Sequence, residues 1–107
     1  MISEKKDLEL ITVIVQRGQA EKIVKTAIDA GAQAATISFA RGTGVREKLG
    51  FLGIAIQPEK EVFFVVIEKE KADKVFDAIV KAGKLEQPEQ GFAFIQDVRR
   101  AYGFIGD

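Results

Sequence analysis

The segment best equipped to hold a ligand is a basic, glycine-rich stretch in the first half of the chain. Residues 41–50 are Arg-Gly-Thr-Gly-Val-Arg-Glu-Lys-Leu-Gly. Glycine lets a backbone approach a ligand, and amides in such turns can hold phosphate oxygens while basic side chains supply charge. The spacing is not that of a P-loop, and no helical pattern follows it. Ligand or partner contact and a plain solvated connection are both open interpretations.

Two later segments carry charge in a less favourable arrangement. Residues 83–91 present Lys84 to an anion, but two glutamates in the same stretch oppose one, which favours an ordinary surface loop. Near the C-terminus, Arg99 and Arg100 precede Tyr102, a combination that can stack on a base or on a partner's ring. Because no wider basic field surrounds them, packing of this tail on a neighbouring subunit is favoured.

The residue types that are missing restrict the chemistry further. The sequence has no Cys, His or Trp, which excludes disulfides, thiol nucleophiles, imidazole bases and the usual soft zinc ligands. The glutamates around the strongest apolar run are interpreted as solvated strand ends without an acid–base pair; they are Glu59, Glu61, Glu68 and Glu70. We therefore expect neither an enzyme nor a metal site.

Charge and hydropathy argue against two classes of partner. The 16 basic and 16 acidic residues give a formal net charge of zero, whereas nucleic-acid binding depends on clustered positive charge. No apolar run reaches the roughly 18 residues of a membrane-spanning helix. Residues 1–7 are polar and charged, unlike a secretory signal. These features predict a cytoplasmic protein that binds no nucleic acid and does not insert into a membrane.

The elements that must position these segments follow from apolar periodicity. Residues 8–16 and 62–67 are short β-branched runs typical of buried strands, and residues 34–41 and 91–98 predict two more. Between them, apolar side chains at helical spacing predict two amphipathic helices. One helix presents Ala20, Ile23, Val24, Ala27 and Ile28, and the other presents Ala72, Val75, Phe76, Ile79 and Val80.

Glycines mark the predicted ends of both helices. Gly31 and Gly83 each follow an apolar stripe, where a left-handed C-terminal cap is expected. Residues 51–57 have partial extended character, and they either lengthen the preceding loop or pair with the second strand.

The order of elements predicts an α+β, ferredoxin-like βαββαβ fold. Its four-stranded antiparallel sheet carries both helices on one face. Three of the strands are apolar on both faces, so the second face of the sheet must also be covered. The expected cover is self-association, with three subunits closing their sheets around an axis.

Together these segments resemble the PII (nitrogen regulatory protein P-II) signalling family. The resemblance spans about residues 8–102 and is carried by Leu-Ile-Thr-Val-Ile-Val at 10–15, Arg-Gly-Thr-Gly at 41–44, the strand at 62–67, Ala-Gly-Lys at 82–84 and Phe-Ala-Phe-Ile at 92–95. It implies one domain over residues 1–107, with a polar arm at 1–7, a T-loop-like excursion at 42–56 and a C-terminal tail at 99–107.

The resemblance also implies a function and a site. Proteins of this family are cytosolic trimers that bind adenine nucleotides between subunits and use the T-loop to hold transporters or enzymes. We therefore expect a homotrimer that controls a partner protein, with a membrane transporter as one candidate, and residues 84–91 as the B-loop facing a neighbour's cleft. The candidate ligand-binding residues are Thr36, Arg41, Gly42, Thr43, Gly44, Arg46, Val65, Lys84 and Gly91.

The sequence departs from the family pattern where phosphate should bind. Phe92 stands where the family has a lysine, residues 87–90 lengthen the glycine-rich turn, Val45 stands at an arginine position, and Gly103 and Ile105 replace two further arginines. The short T-loop has no tyrosine for uridylylation. Because charge-assisted contacts to phosphate are strong, their loss predicts weak or lost ATP binding, no required cofactor, and a smaller or less charged effector or none.

Two other functions fit the same scaffold. A CutA-like structural or metal-responsive trimer shares the topology, although the missing His and Cys count against a metal. A small isomerase or lyase would need a buried carboxylate or lysine in the cleft between subunits. The regulatory function is favoured over both.

Overall fold

The computed structural model describes residues 3–5, 7–42 and 59–103 of the chain. These ranges contain six strands and two helices, in the order β1 (Ser3–Lys5), β2 (Leu8–Gln16), α1 (Ala20–Asp29), β3 (Thr36–Arg41), β4 (Glu59–Glu68), α2 (Lys69–Gly83), β5 (Gly91–Val98) and β6 (Ala101–Gly103). The predicted strand–helix–strand–strand–helix–strand order is confirmed for β2 to β5. None of the helices in the described ranges is long and apolar enough to cross a membrane.

The main sheet has four antiparallel strands in the order β3-β4-β2-β5. β2 occupies a central position, where Val13 lies opposite Phe63 of β4 on one side and Ala93 of β5 on the other. This arrangement confirms the predicted ferredoxin-like sheet. It also explains why β2 is an almost continuous apolar run, since a central strand is covered on both faces.

The core lies between one face of the sheet and the two helices. Alternate residues of β2 and β4 face the helices, which present three-to-four-residue stripes in return. The buried set is Ile11, Val13, Val15, Ala20, Ile23, Ala27, Ala32, Phe63, Val65, Ile67, Ala72, Val75 and Ile79, and Val24, Phe76, Ala93 and Ile95 are among the residues packed at its margin. Burying each large member contributes about 1.5–3 kcal/mol. Ile28 was predicted in the apolar stripe of α1, but it is 44% exposed. It follows the buried Ala27 and lies at the solvent-facing margin of the stripe.

Both helices end in the same hydrogen-bonded motif, but with different residues at the key position. In α1 the amides of Gly31 and Ala32 donate to Ile28 and Ala27, and Gly31 has φ +132°, which confirms the predicted cap. In α2 the corresponding left-handed residue is Lys84, with φ 54°. The prediction for Gly83 is therefore wrong by one position.

Gly83 has a different reason to be glycine. A Cβ at that position would lie 3.2 Å from Ile23 Cδ1 and 3.1 Å from Leu85 Cδ2, so the small residue allows α2 to approach α1 closely.

The face of the sheet opposite the helices is apolar and only partly covered within the subunit. We call it the open face; it carries half-buried Leu10, Ile14, Val62 and Val66, together with the exposed Phe64, Phe92 and Phe94. The rings of Phe92 and Phe94 are in tilted contact, with centroids 5.7 Å apart. The prediction that these strands are apolar on both sides is confirmed.

A two-stranded ribbon formed by β1 and β6 was not predicted. β1 pairs antiparallel with β6, so that Glu4 lies opposite Tyr102. Asp7, at φ 58°, separates β1 from β2, and its carbonyl accepts a hydrogen bond from the Lys69 amide at 2.9 Å. Three-residue strands have too few positions to show an alternating pattern, which is why the sequence indicated only a polar arm and a tail.

Candidate functional site

Both candidate ligand-binding segments singled out in the sequence are attached to the same end of the sheet. In the order β3-β4-β2-β5, antiparallel pairing brings together the last residues of β2 and β3 and the first residues of β4 and β5. We call this edge the loop end. The chain leaves it at Gly42 and returns at Glu59, and the 84–90 loop joins α2 to β5 there.

The structure places three of the predicted site residues at the loop end. Arg41 is exposed at the last position of β3, opposite Glu59, and the half-buried Gly42 follows it. Gly91 begins β5 opposite Val15. Thr43, Gly44 and Arg46 lie outside the described residues.

Thr36 and Val65 are placed elsewhere. Thr36 is the exposed first residue of β3, so five residues of extended chain, about 17 Å, separate it from Arg41. Val65 is 0% exposed and lies in the core beneath the helices, opposite Ile11. Neither side chain is near the loop end within one subunit.

The glycine at position 91 has a packing reason that is independent of any ligand. Gly91 has φ +152°, and a Cβ there would lie 2.5 Å from the carbonyl oxygen of Ile14. A real side chain cannot approach a backbone oxygen this closely, so the contact of β5 with β2 already requires glycine. The match of Gly91 to a phosphate-binding turn is therefore not needed to explain this residue.

A polar strip crosses the loop end on the open face, and the sequence did not reveal it. Lys60 Nζ donates to Gln16 Oε1 at 3.1 Å, and Gln16 Nε2 donates to the Glu89 carbonyl at 2.9 Å. Gln16 and Lys60 are register partners in β2 and β4. Alternation along a strand indicated that Gln16 faces the same side as Ile14, and Lys60 the same side as Val62. Only the register of β2 and β4 shows that Gln16 and Lys60 meet.

Of the glutamates interpreted as solvated, Glu61 has a structural role. Its Oε1 accepts a hydrogen bond from the Ala20 amide at 2.8 Å, at the first turn of α1, where Gln19 makes no side-chain cap. A carboxylate there satisfies a free amide and complements the helix dipole. Glu59 forms an exposed ion pair with Arg17 at 2.9 Å.

A groove beside the 84–90 loop holds the remaining predicted ligand residue. Lys84 lines a cavity of about 480 Å³ together with Asp77, Val80, Lys81, Glu86 and Gln87. Two carboxylates oppose two ammonium groups, so the lining charge favours neither anion nor cation. In the described part of the chain no three Asp or Glu side chains are grouped to hold a metal ion.

The fold and the converging loops define a ferredoxin-like domain with a candidate binding site at one end of its sheet. The family model for the nitrogen regulatory protein P-II matches residues 8–104, and the chain belongs to this family. Proteins of this family are signalling regulators.

Two solved structures show the same fold. Arabidopsis thaliana PII bound to citrate superposes with a TM-score of 0.69 at 17% identity, covering 89% of this chain and 80% of the plant protein. The B. subtilis GlnK-ATP complex gives a TM-score of 0.67 at 18% identity, covering 85% of this chain and 81% of GlnK. No curated protein sequence matches the chain significantly.

Proposed function

We propose that the chain is a cytoplasmic regulatory protein that works as a homotrimer, responds to a small ligand at the loop end and controls a partner protein. The observation that carries the proposal is the open face of the sheet, which is apolar and leaves Phe64, Phe92 and Phe94 exposed in the described part of the chain. Membership of the P-II family, whose proteins are trimeric regulators, supports the same conclusion.

The open face exposes three phenylalanine side chains. Phe64 is 38% exposed, Phe94 36% and Phe92 61%. Fully burying an exposed phenylalanine contributes about 1.5–3 kcal/mol, and each of these rings can gain only in proportion to its remaining exposed fraction. Hiding the three rings therefore stabilises an assembly by roughly 2–4 kcal/mol per subunit. A closed ring of three subunits hides all three faces at once without leaving an open contact.

Two exposed phenylalanines on opposite sides of the sheet provide a matched test. Phe92 lies on the open face opposite Ile14, whereas Phe39, 72% exposed, lies opposite Glu61 on the side that carries the helices. In light scattering at micromolar concentration we expect three times the chain mass for the wild type and for Phe39→Ser, and a lower mass for Phe92→Ser. A monomeric wild type, or equal dissociation of both variants, would refute the trimer.

The proposed ligand site consists of Arg41, Gly42, Lys84 and Gly91, continued in the sequence by Thr43, Gly44 and Arg46. Arg41 supplies an exposed cation beside a glycine, which suits a phosphate or carboxylate group. The GlnK structure contains ATP and the Arabidopsis protein contains citrate, so we propose an adenine nucleotide or a small carboxylate as the effector class. Because several expected phosphate ligands are replaced, we expect weak ATP binding and no required cofactor.

Isothermal titration with ATP, ADP, AMP, bicarbonate and citrate tests this site. Loss of a charge-assisted hydrogen bond in Arg41→Ala should weaken binding about tenfold or more. Arg99→Ala is the control, since Arg99 follows β5 at the opposite end of the sheet. If the wild type binds none of these compounds, the sensor function fails while the trimer and its partner remain testable.

The proposed output is contact with a partner protein through residues 42–56, with a membrane transporter as one candidate. Affinity purification of the full chain and of a variant lacking residues 45–54 tests this output. A partner retained equally by both proteins would refute the assignment of these residues.

A further inference from the structure

One side chain links the 84–90 loop to strand β4 at the loop end. Gln16, the last residue of β2, donates to the Glu89 carbonyl of the 84–90 loop and accepts from Lys60 of β4. Lys60 in turn lies beside the end of β3, because a Cβ added to Gly42 would be 4.0 Å from Lys60 Cγ. Gln16 therefore bridges the 84–90 loop and the strand ends from which residues 43–58 depart.

The two contacts specify glutamine chemically. Lys60 donates to the Gln16 side chain and the Glu89 carbonyl accepts from it, and one amide group serves both contacts. Turning the amide over would set its NH2 group against the ammonium and its oxygen against the carbonyl. A carboxylate at this position would keep Lys60 but repel the Glu89 carbonyl. The amide can thus make these two contacts in one orientation alone.

The 84–90 loop depends on such support at the point where Gln16 holds it. Glu89 has φ 67°, a left-handed conformation that a residue with a side chain adopts only when its surroundings hold it there. Gly91, two residues later, is fixed by its close approach to Ile14. The hydrogen bond from Gln16 reaches the loop between its helix and this fixed point.

We propose that Gln16 is a positioning residue that couples the 84–90 loop to the strand ends at Gly42 and Lys60. A ligand that draws the Glu89 carbonyl away from Gln16 frees the amide to turn, which removes its hydrogen bond with Lys60. Displacement of Lys60 acts on the 84–90 loop in the reverse direction. Coupling of this kind is reciprocal by linkage. The inference rests on the proposed function for the ligand but not for the coupling itself.

Amide hydrogen exchange measured by NMR on the full-length protein without ligand tests the coupling directly. Gln16→Leu removes both hydrogen bonds, so amides of residues 84–90 and of residues 59–62 should both exchange about tenfold faster. Gln16→Glu keeps the contact with Lys60, so exchange should accelerate in the 84–90 loop and much less in residues 59–62. Gln33→Leu, in the turn between α1 and β3 at the opposite end of the sheet, is the control and should change neither region.

The outcomes separate this inference from the proposed function. Acceleration confined to one region in Gln16→Leu, or equal effects of Gln16→Leu and Gln33→Leu, overturns the coupling. ATP and citrate are then titrated into the wild type as the ligand probes. If neither binds but both regions respond to Gln16→Leu, the coupling stands and the sensor function falls; if either binds and the regions do not respond, the reverse holds.

Discussion

Replacing Gly91 by alanine should destabilise the protein strongly although it adds one methyl group. The methyl carbon would lie 2.5 Å from the Ile14 carbonyl oxygen and 3.0 Å from Val15 Cγ1. Because the oxygen belongs to the backbone of central strand β2, it cannot move without disturbing pairing on both sides. Relief requires β5 to shift at its first residue.

The expected cost can be worked from two contributions. Overpacking against a fixed neighbour typically costs about 1–3 kcal/mol, and a non-glycine residue in an unfavourable backbone region costs about 1–3 kcal/mol. These overlap, because one shift can relieve both, so we expect a loss of about 2–4 kcal/mol. That is a large part of the roughly 5–15 kcal/mol that stabilises a typical domain.

Gly18→Ala separates the two contributions. Gly18 has φ +88°, but a Cβ there meets nothing within 4 Å, so its substitution reports backbone strain without a clash. Urea unfolding of both variants and the wild type at one fixed protein concentration gives the free energies, since stability of an oligomer depends on concentration. If Gly91→Ala costs no more than Gly18→Ala, the steric reasoning is wrong.

Three further changes have expected outcomes. Lys84→Gly should raise the free energy of unfolding by about 1 kcal/mol because glycine adopts the left-handed cap without strain, whereas Lys84→Ala should give no such gain in urea unfolding. Glu61→Gln should lower the free energy of unfolding by about 1 kcal/mol through weakening the contact with the Ala20 amide, while Glu68→Gln, on the exposed pair with Lys71, should change it by less than about 0.5 kcal/mol; equal effects would contradict the capping role. Val65→Thr should lower the free energy of unfolding by about 1–3 kcal/mol because it buries a hydroxyl. It should leave the ligand affinity measured by calorimetry unchanged, whereas a substitution in the lining of the ligand pocket would change that affinity.

The elements that depend on local pattern were predictable in detail. β2 was predicted with its observed bounds because a central strand is apolar throughout and is bounded by polar residues. The stripes of both helices were also correct at their buried positions. The cap of α2 was misplaced because glycine at 83 suggested a left-handed residue, whereas close helix packing required glycine there and Lys84 took the strained conformation.

The candidate site was predictable only as a set of segments. Gln16 and Lys60 are 44 residues apart, and Gln16 and Glu89 are 73 apart. No periodicity in either segment determines that these groups meet, because strand register over such distances is fixed by the assembled sheet. The role of Glu61 at the start of α1 was missed for the same reason.

The central place of β2 has a consequence for the synthesis of the protein. β2 leaves the ribosome before both of its hydrogen-bonding neighbours, which are residues 60–68 and 91–98. One edge therefore stays unpaired until residue 68 is made and the other until residue 98 is made. Nascent strands with bare edges are prone to aggregate. Translation that stops before residue 98 leaves a fragment with an unpaired edge of β2, which is prone to aggregate. Premature termination should therefore yield insoluble material instead of a partly folded domain.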